Sequence, residues 1–472
     1  MTIDKSRIQI TLPEDVKYII ETLNDAGFDA YAVGGCVRDS LLGKEPKDWD
    51  ITTSATPLEV KAQFRRTIDT GIQHGTVTIM IGNEGYEVTT YRIDSEYEDM
   101  RHPKEVVFTD KLTEDLKRRD FTINAMAYSD KTGLIDEFDG IYCIENKIIR
   151  AVGNAHDRMN EDALRILRAI RFSAVLDYEI DEELVEAIKE LAPNLSKISA
   201  ERICSELTKT ICSDHPERLI DAYKYGVTKV ILPEFDLCME TEQNTPYHLY
   251  NVGEHTIWSL RHVHEYKDQF SERENKILSY TMLFHDFGKP ASKTVDKKTG
   301  YDHFFGHPEV SAEIARDIMH RLKMDNDTIN NVYALVKWHD YRPKLTLPKI
   351  RRFIVSLGKD RMPLNFAVRM ADTLSQSDYL MDEKLSFIEE MKSKYEKIIS
   401  DEDCLEIKEL KISGKDIIGL GVKPGPLLGD ILDKLLDEVL DEPSKNNEEY
   451  LVNATLKYIE RTVKKIDNIT YR

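Results

Sequence analysis

The chain has 472 residues, 41% hydrophobic and 32% charged, with a formal net charge of −20. That length exceeds what one hydrophobic core serves, so several domains are expected, and no apolar run is long enough to span a bilayer. The six cysteines lie apart with no Cys-x-x-Cys pair, which argues against disulfides or a zinc ribbon, and with no signal or transit pattern a cytoplasmic protein is expected.

The acidic total does not exclude a nucleic-acid partner, because local charge governs binding. Acids concentrate late, around Asp401 to Asp403 and Asp433 to Asp441, while arginines gather at Arg150, Arg158, Arg165, Arg168 and Arg171.

Residues 11–145 read as mixed α/β. Thr11 and Pro13 start a helix with Val16, Ile19, Ile20 and Leu23 on one face, and Gly27 stops it. The strand ending Tyr31-Ala32-Val33 runs into Gly34-Gly35-Cys36-Val37-Arg38-Asp39, where the glycines let backbone amides approach a phosphate. Asp48 and Asp50 follow, at i and i+2 of a strand predicted over 48–52, so their carboxylates share a face. Beside a phosphate-cradling turn, that pair is the pattern of a two-metal site for nucleotidyl transfer. Strands are also predicted over 76–81 and 86–91, joined by Gly82-Asn83-Glu84-Gly85, and Glu87 supplies a third carboxylate.

Arg118-Arg119-Asp120-Phe121-Thr122-Ile123-Asn124 precedes an apolar run. Its arginines match phosphate oxygens, while Asp120 and Asn124 suit ribose hydroxyls. From Asn160 onward the pattern is helical, with Asn160 as the expected cap and breaks near Pro193, Pro233, Glu240 to Pro246 and Ser400 to Asp403. Asp162 and Arg165, at i and i+3, are expected on one helix face. An aspartate accepts from an exocyclic amine and an arginine donates to a ring nitrogen, so the pair suits the Watson–Crick edges of cytosine and adenine and rejects guanine and uracil.

Those blocks, with Glu161-Asp162-x-x-Arg165 and Ser199-Ala200-Glu201-Arg202, resemble the ordered motifs of class II CCA-adding tRNA nucleotidyltransferases of the polymerase β superfamily. The resemblance implies that Gly35, Arg38, Arg119, Arg168 and Arg171 hold the nucleotide, to which residue chemistry adds Gly34, Asp120 and Asn124. It implies that Asp48 and Asp50 form a Mg2+ site, which Glu87 would complete, that Asp162 and Arg165 read the base, and that Glu201 and Arg202 brace the base-reading turn. It implies tRNA, CTP and ATP as partners, and a tRNA-binding tail from Ser413 through Pro426. The segment Tyr91-Arg92-Ile93-Asp94 through Tyr97-Glu98-Asp99, Arg101 and Pro103 resembles the flexible loop of CCA- and A-adding enzymes, which makes a CC-only enzyme unexpected.

Further on, His255, His285, Asp286, His307, His339 and Asp372 stand among apolar helical residues in the order of an HD phosphohydrolase domain. One divalent metal (Mg2+, Mn2+ or Ni2+) would take His255, His285, Asp286 and Asp372, and a second would take His307 and His339 and share Asp286. The expected fold is α+β, mostly α: a nucleotidyltransferase head with a small mixed sheet (1–149), then an all-helical neck (150–240), HD-type body (241–380) and tail (381–472). The expected activity is template-independent CCA addition with a phosphohydrolase for 3′-end repair. The alternatives are an A-adding enzyme, a poly(A) polymerase, and an HD phosphohydrolase whose head only binds nucleotide.

Overall fold

The computed structural model describes residues 8–94 and 106–470, so Tyr97, Glu98, Asp99, Arg101 and Pro103 of the expected loop lie outside the described residues. The chain divides into two compact units, residues 1–236 with 321–323, and residues 237–320 with 324–472.

The first unit opens with helix α1 (Glu14–Asp25), which buries Val16, Ile19, Ile20 and Leu23 and ends before Gly27 at φ +91°. A seven-stranded mixed sheet follows, built on β1 (Ala30–Val33), β2 (Ile51–Thr53), β3 (Thr67–Gly71), β4 (Thr76–Ile81) and β5 (Glu84–Thr90), with the strands Met126–Ser129 and Gly133–Asp136. Its order is β3-β4-β5-β2-β1, then Met126–Ser129 and Gly133–Asp136. Alternation along β1 divides the core: Ala30 and Ala32 join α1 on one face, Tyr31 and Val33 join Tyr91 and Leu116 on the other.

The β4–β5 hairpin pairs Ile81 with Glu84, so its turn is Gly82-Asn83 and not the four residues expected. Gly82 at φ +60° supplies the left-handed residue such a turn requires. Helices dominate after residue 154, as expected. The break differs, however: helices Ala155–Glu161 and Leu164–Leu176 are separated at Asp162 and Ala163. Asn160 therefore lies inside the first of them and caps nothing; Asn154 is the cap, its side chain accepting from Asp157 N.

The second unit is helical apart from the short pair Thr294–Val295 and Asp302–His303. Its central helices are Val252–Val263, Glu272–Phe284, Asn326–Trp338 and Met362–Leu374.

Candidate active site and candidate metal centre

Asp48 and Asp50 precede β2 instead of lying within it, although Val33 N donates to Asp50 O at 2.9 Å and so holds Asp50 against the end of β1 and the glycine turn. Both aspartates are exposed. In the parallel β2–β5 pairing Ile51 faces Val88, so the residues one step earlier, Asp50 and Glu87, point to the same side of the sheet. Neighbouring protein desolvates Asp50 and raises its carboxyl above the usual range; Arg119 opposes this and the Asp48 charge adds to it. Open, oxygen-only donors at interior strands of the sheet suit a hard cation such as Mg2+.

Arg119 crosses Gly34 so closely that a Cβ there would meet its Nη1 at 2.8 Å, and Gly34 stands at φ +86°. The backbone conformation, φ +86° with ψ −128°, is what calls for glycine, and the Arg119 side chain takes the space a Cβ would fill. Gly35 begins helix α2 (Gly35–Leu41), which carries Arg38.

From Arg38 a relay of hydrogen bonds joins the motifs. Arg38 donates to Asp39 Oδ1 at 2.9 and 2.8 Å and to Asn124 Oδ1 at 2.6 Å. Asn124 donates to Asp120 Oδ1 at 3.3 Å, and Arg168 Nε donates to Asp120 Oδ2 at 2.6 Å. Asp120 and Asn124, expected to meet ribose hydroxyls, are turned inward to fix the two arginines. Burial pushes the Asp120 carboxyl up, but Arg168 and Arg165 overcome this and hold it down to about 2. Arg38, Arg168 and Arg171 surround the ring of Phe172, at 5.1, 5.3 and 4.1 Å from its centroid. Arg171 lies 2.8 Å from buried Glu206, a partner the sequence pattern did not single out, and burial pushes its guanidinium down to about 10 against that carboxylate.

Asp162 and Arg165 sit at the helix break and do not pair with each other. Asp162 accepts from Leu164 N at 3.0 Å and from Arg202 Nη2 at 2.8 Å. Arg165 donates to Glu161 Oε2 at 2.6 Å and to the carbonyls of Arg158 and Arg118 at 3.0 and 3.2 Å. Of the two expected braces Arg202 holds the turn, whereas Glu201, one residue and so about 100° around the helix, is exposed.

In the second unit, six side chains from five helices or their ends converge. His255 lies in helix Val252–Val263, His285 caps helix Glu272–Phe284, His307 begins helix His307–Arg321, His339 caps helix Asn326–Trp338, and Asp372 lies in helix Met362–Leu374. Asp286 stands between them. Its Oδ2 faces His255 and His285 Nε2 at 3.4 and 3.3 Å, and its Oδ1 faces His307 and His339 Nε2 at 3.3 and 3.8 Å. Asp372 Oδ1 is 3.0 Å from His255 and 3.9 Å from His285.

Each imidazole turns Nδ1 to a backbone carbonyl: His255 to Ser375, His285 to Met282, His307 to Phe304 and His339 to Val336, at 3.3, 2.7, 2.8 and 2.7 Å. A carbonyl only accepts, so every Nδ1 carries a proton, and Nε2 is the atom each ring turns to the carboxylates and can offer to a metal when the ring is neutral. The Nε2 atoms of His255 and His285 are 3.4 Å apart, and those of His307 and His339 3.3 Å apart. Four Nε2 atoms converging on two carboxylates, with each Nδ1 fixed by the backbone, suit a pair of divalent metals sharing Asp286. Asp286 Oδ2 has no hydrogen-bond partner among the described residues, only the Lys289 ammonium at 2.6 Å. Lys289 and its partner Gln243, at 2.8 Å, were not singled out by the ligand pattern, although Lys289 closes the same His285-Asp286-Phe287-Gly288 turn.

Three family models match the chain: "Poly A polymerase head domain" over residues 30–150, "Probable RNA and SrmB-binding site of polymerase A" over 177–239, and tRNA nucleotidyltransferase domain 2 over 303–455. The chain is 34% identical to the CCA-adding enzyme of Pediococcus pentosaceus, over 94% of this chain and 98% of that one. It is 33% identical to that of Enterococcus faecalis, over 95% and 97%. The crystal structure of the Bacillus stearothermophilus CCA-adding enzyme in complex with CTP superposes with a TM-score of 0.70 at 27% identity, covering 97% of this chain and all of that one. Among the described residues no helix is long and apolar enough to cross a membrane, and the cysteines are free. The chain belongs to the family of CCA-adding enzymes and is a tRNA nucleotidyltransferase.

Proposed function

We propose that the chain adds CCA to tRNA 3′ ends without a template, using CTP and ATP. The observation that carries this is the placement of the exposed Asp48 and Asp50 beside Gly34, with Arg119 and the Arg38–Asn124–Asp120–Arg168 relay at the same turn. The Bacillus relative, solved in complex with CTP, supports a nucleoside triphosphate as the substrate.

The tRNA 3′-oxygen bonds to the α-phosphorus, its proton leaves, and the bond to the β-phosphate oxygen breaks to release pyrophosphate. Mg2+ held by Asp48, Asp50 and Glu87 would supply Lewis-acid activation of the hydroxyl and charge neutralisation. Arg38, Arg119 and Arg168, with Arg171, hold the triphosphate, and their fixed geometry limits the reorganisation needed at the moment of reaction. Asp162, held by Arg202, accepts the amine of cytosine or adenine, and Arg165 donates to the ring nitrogen. The segment 413–426 belongs to a tail that engages the tRNA.

The test is incubation with tRNA lacking its 3′ CCA: CTP and ATP should both be incorporated and addition should then stop. A long A tail would mark a poly(A) polymerase. Incorporation of A alone, on tRNA ending in CC, would mark an A-adding enzyme.

A second activity is favoured by the four Nε2 atoms that surround Asp286. We infer an HD-type phosphohydrolase there, acting on phosphate esters such as those left on damaged tRNA 3′ ends. Loss of metal-dependent phosphatase activity in Asp286→Ala tests it; a phosphatase that survives the change refutes it.

A further inference from the structure

Lys384 lines the same cavity of about 720 Å3 as Asp286, His339 and Asp372. The residue is 6% exposed, yet its Nζ has no hydrogen-bond partner among the described residues; it lies over the Tyr247 ring, at 5.3 Å, and the Asp372 carboxylate reaches it through charge alone. An ammonium buried without hydrogen bonds is costly, so it needs either a reason or a ligand. The other cations of the cavity are differently placed: Lys289 is bound to Asp286 and Gln243, and Arg342 is solvent-exposed beside Asp340 at 3.7 Å. At the mouth Phe305, 79% exposed, stacks on His303 with centroids 5.1 Å apart and planes 15° apart. A flat, open aromatic face of this kind suits a nucleobase.

We propose that Lys384 is the seat of a terminal phosphate oxygen, and that this cavity takes a phosphomonoester dianion carried by a nucleoside. This rests on the phosphohydrolase reading of the cluster around Asp286. A phosphomonoester presents three terminal oxygens and a diester two, so a buried cation lining the same cavity as the metal-binding side chains favours the monoester. In hydrolysis the water oxygen bonds to phosphorus, the ester P–O bond breaks, and a water proton passes to the departing alcohol. The same chemistry is offered by a free nucleotide and by an RNA chain ending in a 3′-phosphate.

The test uses the full chain with Mn2+ and inorganic phosphate as the probe, read by calorimetry. Lys384→Met should weaken phosphate binding at least about tenfold, while Lys384→Arg keeps most of it. Because the native ammonium is buried without a hydrogen bond, Lys384→Met should melt at or above the wild-type temperature, and Lys384→Gln serves as a second variant. On 3′-AMP and on a 3′-phosphorylated oligoribonucleotide, kcat/KM should fall about 30-fold in Lys384→Met, against less than about threefold on bis(p-nitrophenyl) phosphate. The faster of the two monoesters identifies the natural source. Phosphate binding that is equal in wild type and Lys384→Met, or absent from wild type, overturns the proposal. Lys384-dependent phosphate binding in a protein that hydrolyses no ester supports the seat and overturns the phosphohydrolase reading instead.

Discussion

Arg202 Nη2 donates to Asp162 Oδ2 at 2.8 Å across 40 positions of sequence, and that bond fixes the carboxylate proposed to read the base. Asp162 lies between two helices with φ −140° and ψ 104°, so no helical repeat holds its side chain in place. Removing the guanidinium in Arg202→Ala frees it. A hydrogen bond to a charged group is worth about 1.5–3 kcal/mol, so discrimination against GTP and UTP should drop by about 10- to 100-fold. Asp162→Ala should relax it at least as far, measured by incorporation of each nucleotide on tRNA ending in C or CC. Unchanged discrimination in both variants would end the base-reading role.

The relay through Asp120 should act on affinity and leave base choice intact. In Asp120→Asn one arginine partner is weakened at each end, so KM for CTP and ATP should rise together by about tenfold. A change confined to one nucleotide would show that Asp120 belongs with the base-reading residues instead.

Asp48→Ala and Asp50→Ala should each reduce incorporation by at least about a thousandfold while leaving the melting temperature nearly unchanged, because both side chains are exposed. Glu87→Gln is expected to fall between these variants and wild type. A rate equal to wild type would remove Glu87 from the metal set.

Asp120 also makes stability depend on acid. Its folded carboxyl is held down to about 2, below the unfolded value of about 3.9. The stabilisation is therefore fully present above pH 4 to 5 and is lost as the pH falls toward 2; its size is about 2–3 kcal/mol. The gap in unfolding free energy between wild type and Asp120→Asn should accordingly narrow from pH 6 to pH 3. A gap that is constant with pH would mean the pair contributes through packing alone.

The cluster around Asp286 should bind metal in the isolated protein. Elemental analysis after exposure to Mn2+ or Ni2+ should find metal in wild type, and chelation should lower its melting temperature, as loss of a ligand bound only by the folded state must. Asp286→Ala, which removes the residue facing all four imidazoles, should retain little metal and show little response to the chelator.

Much of both sites was legible in the sequence because short-range chemistry dictated it. Gly34 is set by a local backbone conformation, and Asp48 with Asp50 by a spacing of two. The histidines bond their Nδ1 atoms to carbonyls, three of them to the residue three positions back, which a helix end supplies within its own segment. The break at Asp162 was not legible, since Leu164, Leu167 and Phe172 continue an apolar period that reports the buried face and says nothing of the turn before it. The four-residue hairpin turn failed for a related reason: Glu84 and Gly85 look like turn residues, but pairing with β4 draws them into the strand.

The sequence by itself determined the family motifs, the mixed sheet followed by helices, and which side chains carry charge or lone pairs. Tertiary structure alone decided who faces whom. Asn124 meets Arg38 across 86 positions, Arg168 meets Asp120 across 48, and Lys384 is left in a cavity wall without a hydrogen-bond partner among the described residues. Periodicity and spacing constrain a residue relative to its neighbours along the chain, whereas a hydrogen bond between distant residues depends on how sheet and helices close on one core.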